Sequence, residues 1–124
     1  MFEELFYIHR KTVEDVPMAF KRYLSAEIDW DARQLCITGC RGTGKTTLLL
    51  QHYMDVYNDV EKCLYISADH VAVAGIGLFK IASEYFKLGG EAIIIDEIHK
   101  SPNWEAELKS IIDTFKQKQV LVSG

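Results

Sequence analysis

The sequence predicts an α/β fold in three layers, a parallel sheet flanked by helices, and three observations point to it. Short apolar runs alternate with stretches of helical spacing along the chain. The run Ile93-Ile94-Ile95 is apolar without alternation, as in a strand covered on both faces. A glycine-rich loop, Gly39 to Gly44, stands between an apolar run and a helical stretch, giving a strand–loop–helix order.

A length of 124 residues fits one domain with a real core and is too short for two. Apolar residues at 48% and charged residues at 26% are ordinary for a globular chain. The net charge of −4 gives no basic footprint for nucleic acid. Cys36, Cys40 and Cys63 form no CxxC, and no His lies at zinc-finger spacing from them. Cys36 and Cys40 bracket the end of a predicted strand and read as small packing residues, and the simple reading is a reduced, cytoplasmic protein. The start, Met1-Phe2-Glu3-Glu4, is acidic where a signal peptide is basic. No stretch reaches the roughly 18 apolar residues of a membrane span, so a soluble chain without a membrane partner is expected.

The elements follow in order. Val13, Val16, Phe20 and Leu24 predict a helix over residues 12–26 with Pro17 near its first turn, so 1–34 is read as a helical lead-in and 35–124 as the core. Leu35-Cys36-Ile37 predicts a strand within residues 34–38. Leu48, Leu49, His52, Tyr53 and Val56 predict a helix over 45–57, and Cys63 to Ser67 a second strand. Residues 69–77 have no clear period and read as a loop. Leu78, Ile81, Ala82 and Tyr85 form the inward face of a helix over 78–88, stopped by Gly89-Gly90. A strand over 92–96 follows. Ser101-Pro102 reads as an N-cap with Pro at the first helical position. The helix after it carries a core stripe of Trp104, Leu108, Ile111, Ile112 and Phe115, and a strand over 119–123 comes last.

Gly39-Cys40-Arg41-Gly42-Thr43-Gly44-Lys45-Thr46 fits G-x-x-x-x-G-K-[ST], the Walker A motif, at every fixed position. The glycines let the backbone turn tightly and approach an anion, so that N–H groups from Gly42 through Thr43, Gly44 and Lys45 to Thr47 can point at phosphates. The following helix adds its positive end. Lys45 is the residue for the β- and γ-phosphates, and the Thr46 hydroxyl the ligand for magnesium. Arg41 reads either as a phosphate or partner contact or as a solvated loop charge.

Ile93-Ile94-Ile95-Asp96-Glu97 has the form of a Walker B strand, with two carboxylates where open α/β sheets bind ligands. Asp96 suits magnesium, and Glu97, alternating to another direction, suits polarisation of an attacking water. A hydrolytic Glu favours ATP hydrolysis over phosphoryl transfer to a small molecule. GTPases usually show D-x-x-G, but position 99 is His. Asp96-Glu97-Ile98-His99 also spells a DExH helicase pattern, a rival reading weakened by the short spacing from Lys45 and by the acidic charge. A nucleotide-gated switch with little turnover is the other alternative.

The stretch from Ile37 to Leu49, together with Ile95-Asp96-Glu97-Ile98-His99-Lys100-Ser101-Pro102-Asn103-Trp104, resembles a prokaryotic family of AAA-type ATPases. The resemblance covers most of residues 20–124. Members of that family join an N-terminal ATPase domain to a C-terminal region of poorly defined role, sometimes related to nucleases. It implies a P-loop NTPase core of the additional-strand division, with the Val120–Val122 strand between the loop strand and the acidic strand. Residues 1–124 would be a partial domain with four strands present and a fifth missing. It also implies a polar γ-phosphate sensor at the end of that strand, for which Ser123 is the candidate against a plain strand-end Ser. Related enzymes take an arginine finger from a neighbouring subunit, worth about 10³–10⁵ in rate, so a homo-oligomer is an implied partner. On this reading the chain, without the fifth strand, a lid or a sensor-type arginine, binds Mg-ATP and hydrolyses it slowly if at all. In the full-length protein, hydrolysis drives or switches a partner or a missing C-terminal domain. His99 either reports on the γ-phosphate, pairs with Glu97, or is a structural loop His. Asp69 and His70 are too commonly spaced to support a metal site.

Overall fold

The computed structural model describes residues 2–14, 34–37 and 44–124. In chain order they form α1 (Phe2–Glu14), β1 (Gln34–Ile37), α2 (Gly44–Val56), β2 (Cys63–Ser67), α3 (Val71–Ala74), α4 (Leu78–Lys87), β3 (Ala92–Asp96), a 3₁₀ turn (Ile98–Lys100), α5 (Trp104–Thr114) and β4 (Gln119–Ser123). The strands make one four-stranded sheet in the order β1-β4-β3-β2, and every pairing is parallel. The α/β architecture with a parallel sheet flanked by helices is therefore as the sequence predicts. β4 lies between β1 and β3, the position that the resemblance implies.

Alternation along the strands splits the core into two layers. Leu64 and Ile66 of β2, Ile93 and Ile95 of β3, and Val120 and Val122 of β4 pack with Leu78, Ile81, Ala82, Tyr85 and Phe86 of α4 and Ile111 of α5. Cys63, Tyr65, Ala92, Ile94 and Leu121 face the other way, against Leu49, Leu50 and Tyr53 of α2. All of β3 is buried, as a continuous apolar run requires when both faces are covered. Each such isoleucine contributes roughly 2–3 kcal/mol by leaving water. Of the α5 stripe only Ile111 is fully buried. Trp104, Leu108, Ile112 and Phe115 are partly buried against the core, since α5 is an outer-layer helix with Glu105, Ala106, Lys109 and Ser110 exposed.

Gly89-Gly90 ends α4 for the reason expected. Gly89 takes φ +107°, a left-handed value that costs glycine nothing. Gly89 N–H donates to Phe86 O, and Gly90 N–H donates to Tyr85 O, the paired bonds of a Schellman stop. At the other end of α4 the N-cap, Gly77, has no capping side chain. Glu107 of α5 supplies one instead, its Oε1 accepting the Phe79 N–H over 3.2 Å.

Two predicted starts and one predicted loop differ. The N-cap of the last helix is Asn103 and not Ser101, because Ile98–Lys100 turns as 3₁₀ and Ser101 closes that turn. The Ser101 hydroxyl instead faces Glu107 Oε2 at 3.4 Å. Within 69–77, Val71–Ala74 make one helical turn, capped by His70 Nδ1 accepting the Ala72 N–H at 3.0 Å. The lead-in helix begins at Phe2, well before Thr12, and what was expected of residues 15–26 lies outside the described residues.

α1 packs along the outer strand β2. Leu5 enters one core layer and Val13 packs against the other, so the helix straddles the strand's free edge. His9, 1% exposed, accepts the Tyr65 backbone N–H at Nδ1 over 2.9 Å. An N–H that would otherwise be an open sheet edge is thereby paired. The His9 ring stands edge-on to Tyr53, with centroids 4.7 Å apart. Burial, helped by the Arg10 charge, lowers its pKa to about 4.

Candidate functional site

A parallel sheet sends all its carboxyl ends to one side, and the described site lies there. β3 ends on Asp96 and β4 on Ser123, while α2 starts at Gly44 with Lys45 and Thr46 in its first turn. Parity decides which side chains meet. Asp96 shares a sheet face with Ile94, the face that α2 covers. Leu121 lies on that face too, so Ser123, two residues on, points the same way. The register Ser67↔Asp96 puts Tyr65, two residues back in β2, on the same face.

Asp96 is 3% exposed and is held from three directions. Thr46 donates its hydroxyl to Asp96 Oδ2 at 2.5 Å, and Tyr65 donates to the same oxygen at 2.7 Å. The Ser123 hydroxyl, wholly buried, donates to Oδ1. A buried carboxylate is costly unless its lone pairs are filled, and hydrogen bonds to a charged group are worth about 1.5–3 kcal/mol each. Burial, and then the neighbouring Asp96 charge, push the Tyr65 phenol well above its ordinary range. The direction of that shift favours the protonated phenol, the form that donates to Asp96.

Glu97 leaves the strand in the left-handed region, at φ +53° and ψ +43°. For a residue with a Cβ this costs about 1–2 kcal/mol. Its N–H donates to Ser123 Oγ and to Asp96 Oδ1, both at 3.1 Å, and these bonds offset the strain. The turn carries the Glu97 carboxylate away from the sheet face and into solvent-accessible space. There Oε2 lies 3.4 Å from His99 Nε2. Of the roles weighed for His99, proximity to Glu97 is the one that the structure displays.

Lys45 extends from α2 to the end of β4, where Nζ donates to Gly124 O at 3.4 Å. Its cation thus sits over the same end of the sheet as Asp96. The first turn of α2 contains no acidic residue, so the helix's positive end is not neutralised by its own side chains. Gly44 opens the helix, and Thr47 lies in its partly exposed first turn. Gly39, Gly42 and Thr43, with Cys40 and Arg41, lie outside the described residues.

Lys45, Thr46, Asp96, Glu97 and Ser123, named from sequence, are thus brought to one end of the sheet. Asp69 and His70 take no part: Asp69 is exposed and His70 caps α3. Among the described residues no group of three His, Cys, Asp or Glu side chains could hold a metal ion by itself. The donors at the site, the Thr46 hydroxyl and the Asp96 carboxylate, are hard oxygens, few in number. That suits magnesium, which keeps several waters and takes one or two protein oxygens plus phosphate. A hydroxyl has lone pairs to spare while it donates, so Thr46 can hold its bond to Asp96 and still ligate a cation. Tyr65 is the site residue that sequence reasoning missed. Its position in an apolar strand gave no sign of polar work.

No helix among the described residues is long and apolar enough to cross a membrane. The family model described as "AAA domain" matches residues 31–124, a span that contains every site residue above. Comparison with curated proteins and with solved structures returned no match.

Proposed function

Since the chain belongs to the AAA-domain family, we propose that it binds Mg-ATP at the carboxyl end of its sheet and that, in the whole protein, ATP hydrolysis drives or switches a partner domain. The observation that carries this reading is the 2.5 Å bond between Thr46, in the phosphate-loop motif, and Asp96, at the end of the acidic strand. Two sequence motifs expected to serve one ligand meet at one point.

The roles follow from chemistry. The loop Gly39–Gly44 and the positive end of α2 receive the phosphates, and Lys45 exchanges the Gly124 carbonyl for their charge. Thr46 and Asp96 hold magnesium, which when bound neutralises charge on the β- and γ-phosphates. Glu97 accepts the proton of an attacking water. Ser123 senses the γ-phosphate by coupling the end of β4 to Asp96 and to the Glu97 N–H.

A nucleotide-gated switch with slow turnover is the second reading. It is favoured by the contact between Glu97 Oε2 and His99 Nε2, which occupies one oxygen of the proposed proton acceptor. Calorimetric titration of ATP with and without magnesium tests the proposal. Binding strengthened by the metal supports it, and equal or absent binding contradicts it. Turnover stimulated by DNA or RNA would favour the helicase alternative instead.

A further inference from the structure

Tyr65 lies in the middle of β2, 5% exposed, with its ring in the apolar layer beside Ile94, Leu50 and Tyr53. Phenylalanine would fill the same space without the cost of burying a hydroxyl, about 1–3 kcal/mol if left unpaired. The hydroxyl emerges where that layer ends and meets Asp96 Oδ2 at 2.7 Å, on the oxygen that Thr46 also contacts at 2.5 Å. The other oxygen, Oδ1, takes Ser123 and the Glu97 N–H. Both of those partners also bond each other, so they move together with the end of β4. Thr46 belongs to the phosphate-binding helix. Tyr65 is anchored mid-strand, independently of either.

We propose that Tyr65 is a positioning residue for magnesium, its hydroxyl fixing the rotation of the Asp96 carboxylate so that Asp96 and Thr46 serve one ion. The assignment rests on the nucleotide reading above. Its physical basis is the narrow tolerance of magnesium, which demands near-octahedral geometry at about 2.0–2.1 Å. A carboxylate free to rotate loses much of its value as a ligand. Partners that orient metal-binding side chains are typically worth about 10–100-fold in metal affinity.

The test is magnesium titration of the chain at a fixed concentration of a fluorescent ATP analogue. Tyr65→Phe keeps the ring and should bind the metal-free analogue within about twofold of the parent, while half-saturation by magnesium rises roughly tenfold. Tyr65→Met, which also lacks the hydroxyl, should shift it in the same direction. In an Asp96→Asn background Tyr65→Phe should add nothing, because Tyr65 acts through Asp96. A purely structural tyrosine would lower the melting temperature and leave the magnesium midpoint unchanged, and that result overturns the assignment alone. A parent chain that binds no nucleotide, with or without magnesium, overturns the nucleotide reading and this assignment together.

Discussion

Thr46 Oγ1 lies 2.5 Å from Asp96 Oδ2, which joins the first turn of α2 to the end of β3 across the middle of the chain. The bond is possible because Asp96 emerges on the sheet face that α2 covers, not on the face of α4 and α5. Thr46→Val keeps the shape and removes the donor. It should abolish the magnesium-dependent part of ATP affinity and destabilise the fold by about 1–2 kcal/mol, read by calorimetry and urea unfolding. Thr46→Ser should retain both.

Ser123 clasps the acidic turn by donating to Asp96 and accepting from Glu97 N–H. Ser123→Ala leaves that N–H with Asp96 Oδ1 alone and strips a buried carboxylate of one donor. A loss of about 1–3 kcal/mol in unfolding free energy is expected. Turnover should fall more than ATP affinity, because the left-handed geometry of Glu97 depends on the same hydroxyl. Unfolding curves and steady-state kinetics read the two effects separately.

Glu97→Gln preserves the turn and removes the proton acceptor. ATP should bind as in the parent, and any hydrolysis measured in the parent should drop by about 10²–10⁴-fold. Single-turnover assays check this. Hydrolysis undiminished in Glu97→Gln would assign the proton transfer to another group.

His9 makes stability depend on pH. It is buried with Nδ1 accepting the Tyr65 N–H, and its pKa is lowered to about 4 from the ordinary 6.5. Between those values the unfolded chain binds more protons than the folded one, so stability falls as pH drops from about 6.5 towards 4. The contribution fully present above pH 6.5 is on the order of 3 kcal/mol. Denaturant midpoints measured across that range should fall steeply in the parent. In His9→Gln, which has no titrating ring, that component of the slope should disappear.

How much of this was legible in sequence depends on the kind of interaction. β3 and the start of α2 were plain, because a strand buried on both faces reads as unbroken apolar residues and a phosphate loop needs fixed types at fixed spacing. The boundaries of β2, β3 and β4 match the sequence reading, since each is a short apolar run between turn residues. α1 was largely missed although Phe2, Leu5, Phe6, His9 and Val13 keep helical spacing. Counting His9 as polar breaks that pattern, and its burial is explained only by the Tyr65 N–H on a distant strand. Tyr65 was hidden for a similar reason. Its role depends on the register of β2 with β3, which no local pattern encodes. The start of α5 slipped from Ser101 to Asn103 because a 3₁₀ turn after Asp96-Glu97 consumes the residues that look like a cap. The left-handed Glu97 likewise depends on Ser123, which arrives on β4.

The central claim is that Lys45 and the loop before it grip the phosphates of ATP. Comparing the ATP affinity of the parent with that of Lys45→Ala, at saturating magnesium, tests it most directly. Lys45 bonds only a backbone carbonyl among the described contacts, so its loss should leave the fold intact. The account predicts at least a tenfold weaker affinity for Lys45→Ala, about 1.4 kcal/mol or more. Equal affinities in the two folded proteins would contradict it.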